Sequence, residues 1–324
     1  MKKIGILSTA SIVPRFLGAA NEINAENGGC EVVAVASRNL EKAREKADAW
    51  GIPNAYGSYE ELIASDVDIV YVSMINSEHY KYAKMALEAG KNVFCEKPMT
   101  LSEENSAELF AIAKEKNVFL MEMQKTLFLP VIKEVKNMID EGLLGEIKMA
   151  DFSSSFRSDY NTWMNDPDKG GGAFYNNLIY SVELMQYLKG CGFVDFGGLC
   201  CKSDTGVEDQ FSVSMMMEDG TLVANKTSTL VDTCHFAYIY GTKGRVEIPE
   251  YWKARKAKVY LNADGDAAES VKELEFPCKY ELRYEIEHAL SCIDSGLNES
   301  PIVSEKLTVE SIKLINAIYN LWRK

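Results

Sequence analysis

The chain has 324 residues, 47% of them apolar and 26% charged, with a formal net charge of -13 at pH 7. That length predicts two domains, each able to bury a core. The acidic balance argues against nucleic acid and anionic membrane as partners, and no apolar run approaches the length of a bilayer span.

The first strand run is Ile4–Leu7, followed by the turn Ser8-Thr9-Ala10-Ser11 and a helical stretch from Ile12 to Asn24. A strand, small-residue turn and helix in this order place a dinucleotide pyrophosphate against helix N–H groups. Of the G-x-G-x-x-G pattern only Gly5 is present, with Ser8 and Ala10 in the next two slots. Taken alone this is a weak fingerprint. A second strand, Glu31–Ala36, ends in Ser37-Arg38. An acidic residue here would suit a free ribose 2′-hydroxyl. Arg38 instead suits a 2′-phosphate, so NADP is expected over NAD, which remains possible. The bland alternative is a solvated arginine on a helix turn.

Further strands are expected at Ile69–Met74, Asn92–Cys95 and Phe119–Met123, with helices at Leu40–Trp50, Tyr59–Ala64, Glu78–Ala89 and Ser102–Lys116. Gly51 and Gly90 read as helix stops. The alternation predicts a doubly wound parallel sheet over residues 1–124. Two apolar strands end in polar clusters, Met74-Ile75-Asn76-Ser77-Glu78-His79 and Glu96-Lys97-Pro98. Ligands bind outside the carboxyl ends of such strands, so both clusters are expected to face one crevice.

Beyond residue 125 the pattern changes. A helix opens at Leu129-Pro130 and runs to about Glu141. Strand runs follow at 147–156, 193–201, 210–217, 221–230, 235–240, 245–248 and 257–261, with Glu218-Asp219-Gly220 as a hairpin turn. A C-terminal α+β domain over 125–324 is expected. Its large, mainly antiparallel sheet would carry helices on one face and offer the other to a partner subunit, as a homodimer or higher homo-oligomer. Leu282, Ile286, Ala289, Leu290 and Ile293 lie at helical spacing, Gly296 ends that helix, and Ser304 caps the last one. Gly170-Gly171-Gly172 precedes a helix in which Asn176 and Tyr180, four apart, share a face. The glycines would let backbone approach another group, most simply a ligand. A flexible loop before an ordinary surface helix is the competing reading.

Eight cysteines include the vicinal pair Cys200-Cys201 but no C-x-x-C motif. With no apolar leader before the first strand, reduced thiols and a cytoplasmic location are expected. His79, His235 and His288 are far apart and show no ligand spacing, so no metal site is expected.

Together these motifs resemble the glucose–fructose oxidoreductase / inositol dehydrogenase (Gfo/Idh/MocA) family. Glu96-Lys97-Pro98 looks like its E-K-P signature and Asn76–His79 like its N-x-x-H segment. The glycine run and following helix look like its G-G-G-x-x-x-D-x-x-x-H segment, with Asn176 for the usual Asp and Tyr180 for the usual His. A branch similar to dimeric dihydrodiol dehydrogenase carries Tyr at the latter place. The resemblance covers nearly the whole chain. It implies a Rossmann domain followed by an antiparallel substrate domain, NADP as cofactor, and a small diol, sugar or carbonyl substrate. Lys125 and Trp163 fall among the expected pocket-lining positions, so the resemblance carries no particular substrate.

In the mechanism so implied, Tyr180 is the general acid/base. Lys97 lowers its affinity for the proton and hydrogen-bonds the substrate oxygen. Glu96 orients the loop, Asn176 positions substrate, and His79 lines the nicotinamide end. Two other readings stay open: a sugar or cyclitol dehydrogenase in which Lys97 itself handles the proton, and a dinucleotide-binding sensor without turnover. Oxidation of an amine or reduction of an imine is a third.

Overall fold

Near-continuous apolar runs make strands that are covered on both faces, which parallel sheets require. Val70, Tyr71 and Val72 are wholly buried, as are Ile4, Ile6 and Leu7, each large side chain stabilising the fold by roughly 1.5–3 kcal/mol. The computed structural model describes residues 1–155, 157, 162–262 and 269–322. Phe156, expected to end a strand, lies outside the described residues.

The chain forms two compact units, Met1–Gln124 with Tyr280–Val309, and Lys125–Lys279 with Glu310–Lys324. The first contains β1 (Lys2–Leu7), α1 (Val13–Asn27), β2 (Cys30–Ala36), α2 (Leu40–Trp50), β3 (Asn54–Tyr56) and α3 (Tyr59–Ile63). It continues with β4 (Ile69–Val72), α4 (His79–Glu88), β5 (Asn92–Glu96), α5 (Glu103–Lys116) and β6 (Leu120–Met123). Its six strands pair in the order β3-β2-β1-β4-β5-β6, all parallel. The order reverses at β1/β4, the place where a doubly wound sheet binds its ligand. Asn39, Ser58 and Ser102 cap α2, α3 and α5 with side-chain oxygens, which stabilises each helix by about 1 kcal/mol.

The second unit contains α6 (Pro130–Asp140), β7 (Ile147–Ser153), α7 (Ala173–Lys189), β8 (Phe193–Lys202), β9 (Glu208–Met217) and β10 (Leu222–Ser228). Then come β11 (Phe236–Gly241), β12 (Gly244–Pro249), β13 (Lys256–Asn262) and β14 (Glu269–Glu275). These eight strands form one sheet, β14-β13-β12-β11-β7-β10-β9-β8. Every pair is antiparallel except β7/β10, which is parallel. The expected hairpin at Glu218–Gly220 joins β9 to β10, with Gly220 at φ 82°. Residues Asn225, Thr227 and Val213 point inward and are buried, whereas Met149 and Leu222 on the opposite face are about half exposed.

Two helices close the chain, α8 (Arg283–Asp294) and α9 (Glu305–Leu321). Residues 280–309 lie with the dinucleotide-type unit although they follow the antiparallel sheet in sequence. The Arg283 guanidinium lies at this return. It grips both oxygens of Glu26 at 2.9 and 2.6 Å, a bidentate pair tying α8 to α1. Arg15 pairs with Glu281 on the same surface. No helix among the described residues is long and apolar enough to cross a membrane.

Candidate active site

The β1–α1 turn, Ser8 to Ile12, joins the first strand to its helix. Helix α1 has Pro14 in its first turn and no side-chain cap at Ile12; its Val13 and Arg15 N–H groups donate to the Ala10 and Ile12 carbonyls at 3.1 and 3.0 Å. Thr9, Ala10 and Ile12 are half-buried and Ser11 is exposed. Ser8 occupies a glycine slot at φ 133°, a conformation that costs an L side chain energy. Its hydroxyl offsets that cost by donating to the Ser73 carbonyl at 2.9 Å and accepting from the Ala10 N–H at 3.2 Å. Gly5 has another task. A Cβ there would lie 2.6 Å from the Leu62 side chain, so Gly5 admits α3 against the strand instead of facing a ligand.

At the end of β2, Ser37 is buried, with its hydroxyl receiving the Asn39 N–H at 3.4 Å. Arg38 is exposed. It faces the Tyr59 hydroxyl, where its charge offsets part of the upward push that burial gives that phenol.

The two polar clusters after β4 and β5 are knitted together by His79. The imidazole is wholly buried. Nδ1 lies 2.9 Å from the Pro98 carbonyl and Nε2 lies 2.9 Å from the Met74 carbonyl. Burial outweighs these two acceptors and holds His79 below the usual imidazole range. The residue expected to line the nicotinamide end is thus a tie between loops. Asn76 is buried beside it. Glu96 accepts the Tyr71 hydroxyl at 2.5 Å, and Tyr71 stacks on Phe16 with ring centroids 3.9 Å apart. The Lys97-Pro98 peptide is cis. The Met99 N–H donates to buried Glu122 at 2.9 Å. Lys97 is half-buried.

In the second unit, Asn176 and Tyr180 are the only residues of Ala173–Tyr180 that are not buried. The Tyr180 oxygen accepts a hydrogen bond from Lys125 Nζ at 3.0 Å. Sequence reasoning placed Lys125 among pocket-lining positions but gave it no role, because the two residues are separated by 55 positions and meet only through folding. The Asn176 amide donates to the Gly170 and Gly172 carbonyls at 3.2 and 2.9 Å. The glycine run approaches protein, contrary to the expectation of a ligand. A Cβ at Gly171 would stand 2.5 Å from the Met164 carbonyl oxygen, and Gly172, at φ 87°, abuts Glu208. Trp163 sits half-buried on that same Thr162–Asp166 turn.

Comparisons with known proteins agree with this architecture. Residues 3–124 match the oxidoreductase family model with NAD-binding Rossmann fold, and residues 132–247 match the Gfo/Idh/MocA C-terminal domain. Trans-1,2-dihydrobenzene-1,2-diol dehydrogenase of Xenopus laevis is 32% identical, covering 93% of this chain and 92% of its own. The enzyme of that name from Mus musculus is 30% identical over 92% of this chain and 90% of its own. Levoglucosan dehydrogenase, solved with NADH and levoglucosan, superposes with a TM-score of 0.89 at 18% identity over 98% of this chain and 96% of its own. The 3-ketoreductase KijD10 of Actinomadura kijaniata, solved with NADP, gives 0.86 at 24% identity over 98% and 97%. One fold thus serves both nucleotides. With a Rossmann unit, an E-K-P segment and relatives matched almost end to end, this chain belongs to the Gfo/Idh/MocA family of NAD(P)-dependent oxidoreductases.

Proposed function

We propose that the chain is an NADP-dependent oxidoreductase that moves hydride between the nicotinamide and a small diol, sugar or carbonyl compound. The observation that carries this reading is Tyr180, a partly buried phenol in the middle of a buried helix with an ammonium 3.0 Å from its oxygen. The bound dinucleotide supplies or accepts the hydride. What the protein must add is a proton at the substrate oxygen, and a phenol beside a cation can give and retake one. The relatives named as diol dehydrogenases support the substrate class.

In this reading Tyr180 is the acid/base and Lys97 hydrogen-bonds the reacting oxygen. Asn176 and Trp163 line the substrate side, His79 and Glu96 hold the Asn76–Pro98 loops, and Ser8–Ile12, Ser37, Arg38 and Met74 frame the cofactor. Arg38 favours NADP, and its removal should weaken NADPH about 10- to 100-fold, the loss of a charge-assisted hydrogen bond. NADH affinity should stay within a factor of two or three. Equal weakening of both would remove the 2′-phosphate assignment.

We also infer a cytoplasmic homodimer formed through the open sheet face. Tyr240, Met149, Leu222 and Met216 stand in register across four strands, an apolar row of the kind that marks association surfaces. The eight cysteines are unpaired thiols, which fits a reducing compartment. The test of function is nicotinamide absorbance with a panel of dicarbonyls, sugars and diols. Turnover on any member supports the proposal. NADPH binding with no turnover across the panel would replace it by the sensor reading.

A further inference from the structure

Lys125 opens a short 3-10 turn, Lys125–Phe128, whose other three residues are fully buried. The turn is pinned from the sheet side, where Thr126 Oγ1 donates to the Trp252 carbonyl at 3.3 Å. Lys125 itself is 8% exposed. A lysine this deep costs several kcal/mol unless its charge is used. Its ammonium donates to the Tyr180 oxygen at 3.0 Å and stands 4.7 Å from the centre of that ring.

The chemistry of the pair has a direction. An ammonium has only donors, so the phenol oxygen must accept from it. The hydroxyl hydrogen of Tyr180 is then left for a different acceptor. We propose that Lys125 is a positioning residue for the reaction: it orients the Tyr180 hydroxyl and compensates the phenolate formed when that proton leaves. This rests on the reading of Tyr180 given above. In reduction, the carbonyl carbon gains the hydride that the dinucleotide supplies, and the π pair moves to oxygen. That oxygen takes the Tyr180 proton, leaving phenolate opposite the ammonium. The carbonyl is reduced and the dinucleotide oxidised. Oxidation of the alcohol runs the same transfers backwards.

Other titratable groups around the start of α7 cannot substitute for the lysine. Tyr251 is wholly buried, its phenol is pushed far up by that burial, and proximity to Tyr180 raises it further. Glu208 abuts Gly172 and Glu183 lies on α7 itself; as carboxylates they would oppose a phenolate.

The test uses the full-length protein labelled with ¹³Cζ-tyrosine. The Tyr180 signal is assigned by its loss in Tyr180→Phe. In the wild type it should titrate below the other exposed tyrosines, and in Lys125→Met it should move up by about one pH unit or more. Lys125→Arg should keep most of the effect. The pH profile of kcat/KM for alcohol oxidation should shift upward in Lys125→Met by the same amount, beyond any fall in rate. A Tyr180 signal that titrates with the bulk tyrosines in the wild type overturns the proposal, even if Lys125→Met fails to fold. So does an unchanged titration in a folded Lys125→Met. If Tyr180→Phe keeps full activity while the titration shift is present, the pairing stands and the role of Tyr180 in turnover is what fails.

Discussion

The two units use their motif residues in opposite ways. In the first unit the signature side chains face protein. His79 binds two carbonyls, Glu96 accepts Tyr71, and Ser8 bonds Ser73. In the second unit the residues that depart from the family pattern, Asn176 and Tyr180, are the ones left half-exposed, and a lysine is spent on the phenol. His79 and Glu96 of the two first-unit segments are thus engaged with protein groups, whereas Asn176 and Tyr180 stay partly exposed. Rigid loops matter because reacting groups misplaced by about 1 Å can cost a hundredfold in rate.

This contrast can be broken experimentally. Tyr180→Phe should lower turnover by about 10²- to 10⁴-fold, the usual contribution of a general acid/base, and leave cofactor affinity nearly intact. Lys97→Met should be at least as damaging. A Tyr180→Phe enzyme with full kcat would move the chemistry back to the first unit. His79→Ala should instead appear as instability. It leaves a buried cavity and removes the hydrogen bond that the single N–H of a neutral imidazole gives to one of these carbonyls, a loss of about 3 kcal/mol measurable by urea unfolding. A stable His79→Ala protein with lost activity would make His79 chemical after all.

The same histidine predicts a pH effect. Its folded-state affinity for a proton lies below the ordinary value of 6.5. The unfolded chain therefore takes up a proton first as pH falls. The stability His79 contributes is complete above about pH 6.5 and declines below it. The wild-type unfolding midpoint should drop between pH 7 and pH 5 more steeply than that of His79→Gln. Parallel curves would remove the assignment. The smallest effect is at Ser8. Ser8→Ala keeps the unfavourable φ and loses the hydroxyl's hydrogen bonds to Ser73 and Ala10, costing about 1 kcal/mol. Ser8→Gly loses the same bonds but relieves the backbone, so its melting temperature should exceed that of Ser8→Ala.

Most of the fold was legible because burial imposes simple periods. Leu40–Trp50 forms a helix over the residues expected, and every expected strand of the first unit is present within two residues at its ends. Two strands escaped. Asn54–Tyr56 has three residues, too few to show alternation. Glu269–Glu275 reads ESVKELE, which carries the charges that protect an edge strand from further pairing and so looks like a loop. The parallel β7/β10 pair inside a mainly antiparallel sheet leaves no local trace. At the site, motif position was readable but side-chain direction was not. Whether His79 faces a ligand or two carbonyls depends on groups 5 and 19 residues away, and the Lys125–Tyr180 contact has no signature in spacing at all.

The Thr162–Asp166 turn offers a last consequence. Its Met164 and Asp166 carbonyls accept the N–H groups of Gly172 and Gly171 at 2.8 and 3.0 Å, and nothing larger than hydrogen fits at Gly171. Trp163 therefore rides on a peg fastened to the base of α7. Its indole emission is a natural gauge of that fastening, and Gly171→Ala should register there as an altered spectrum.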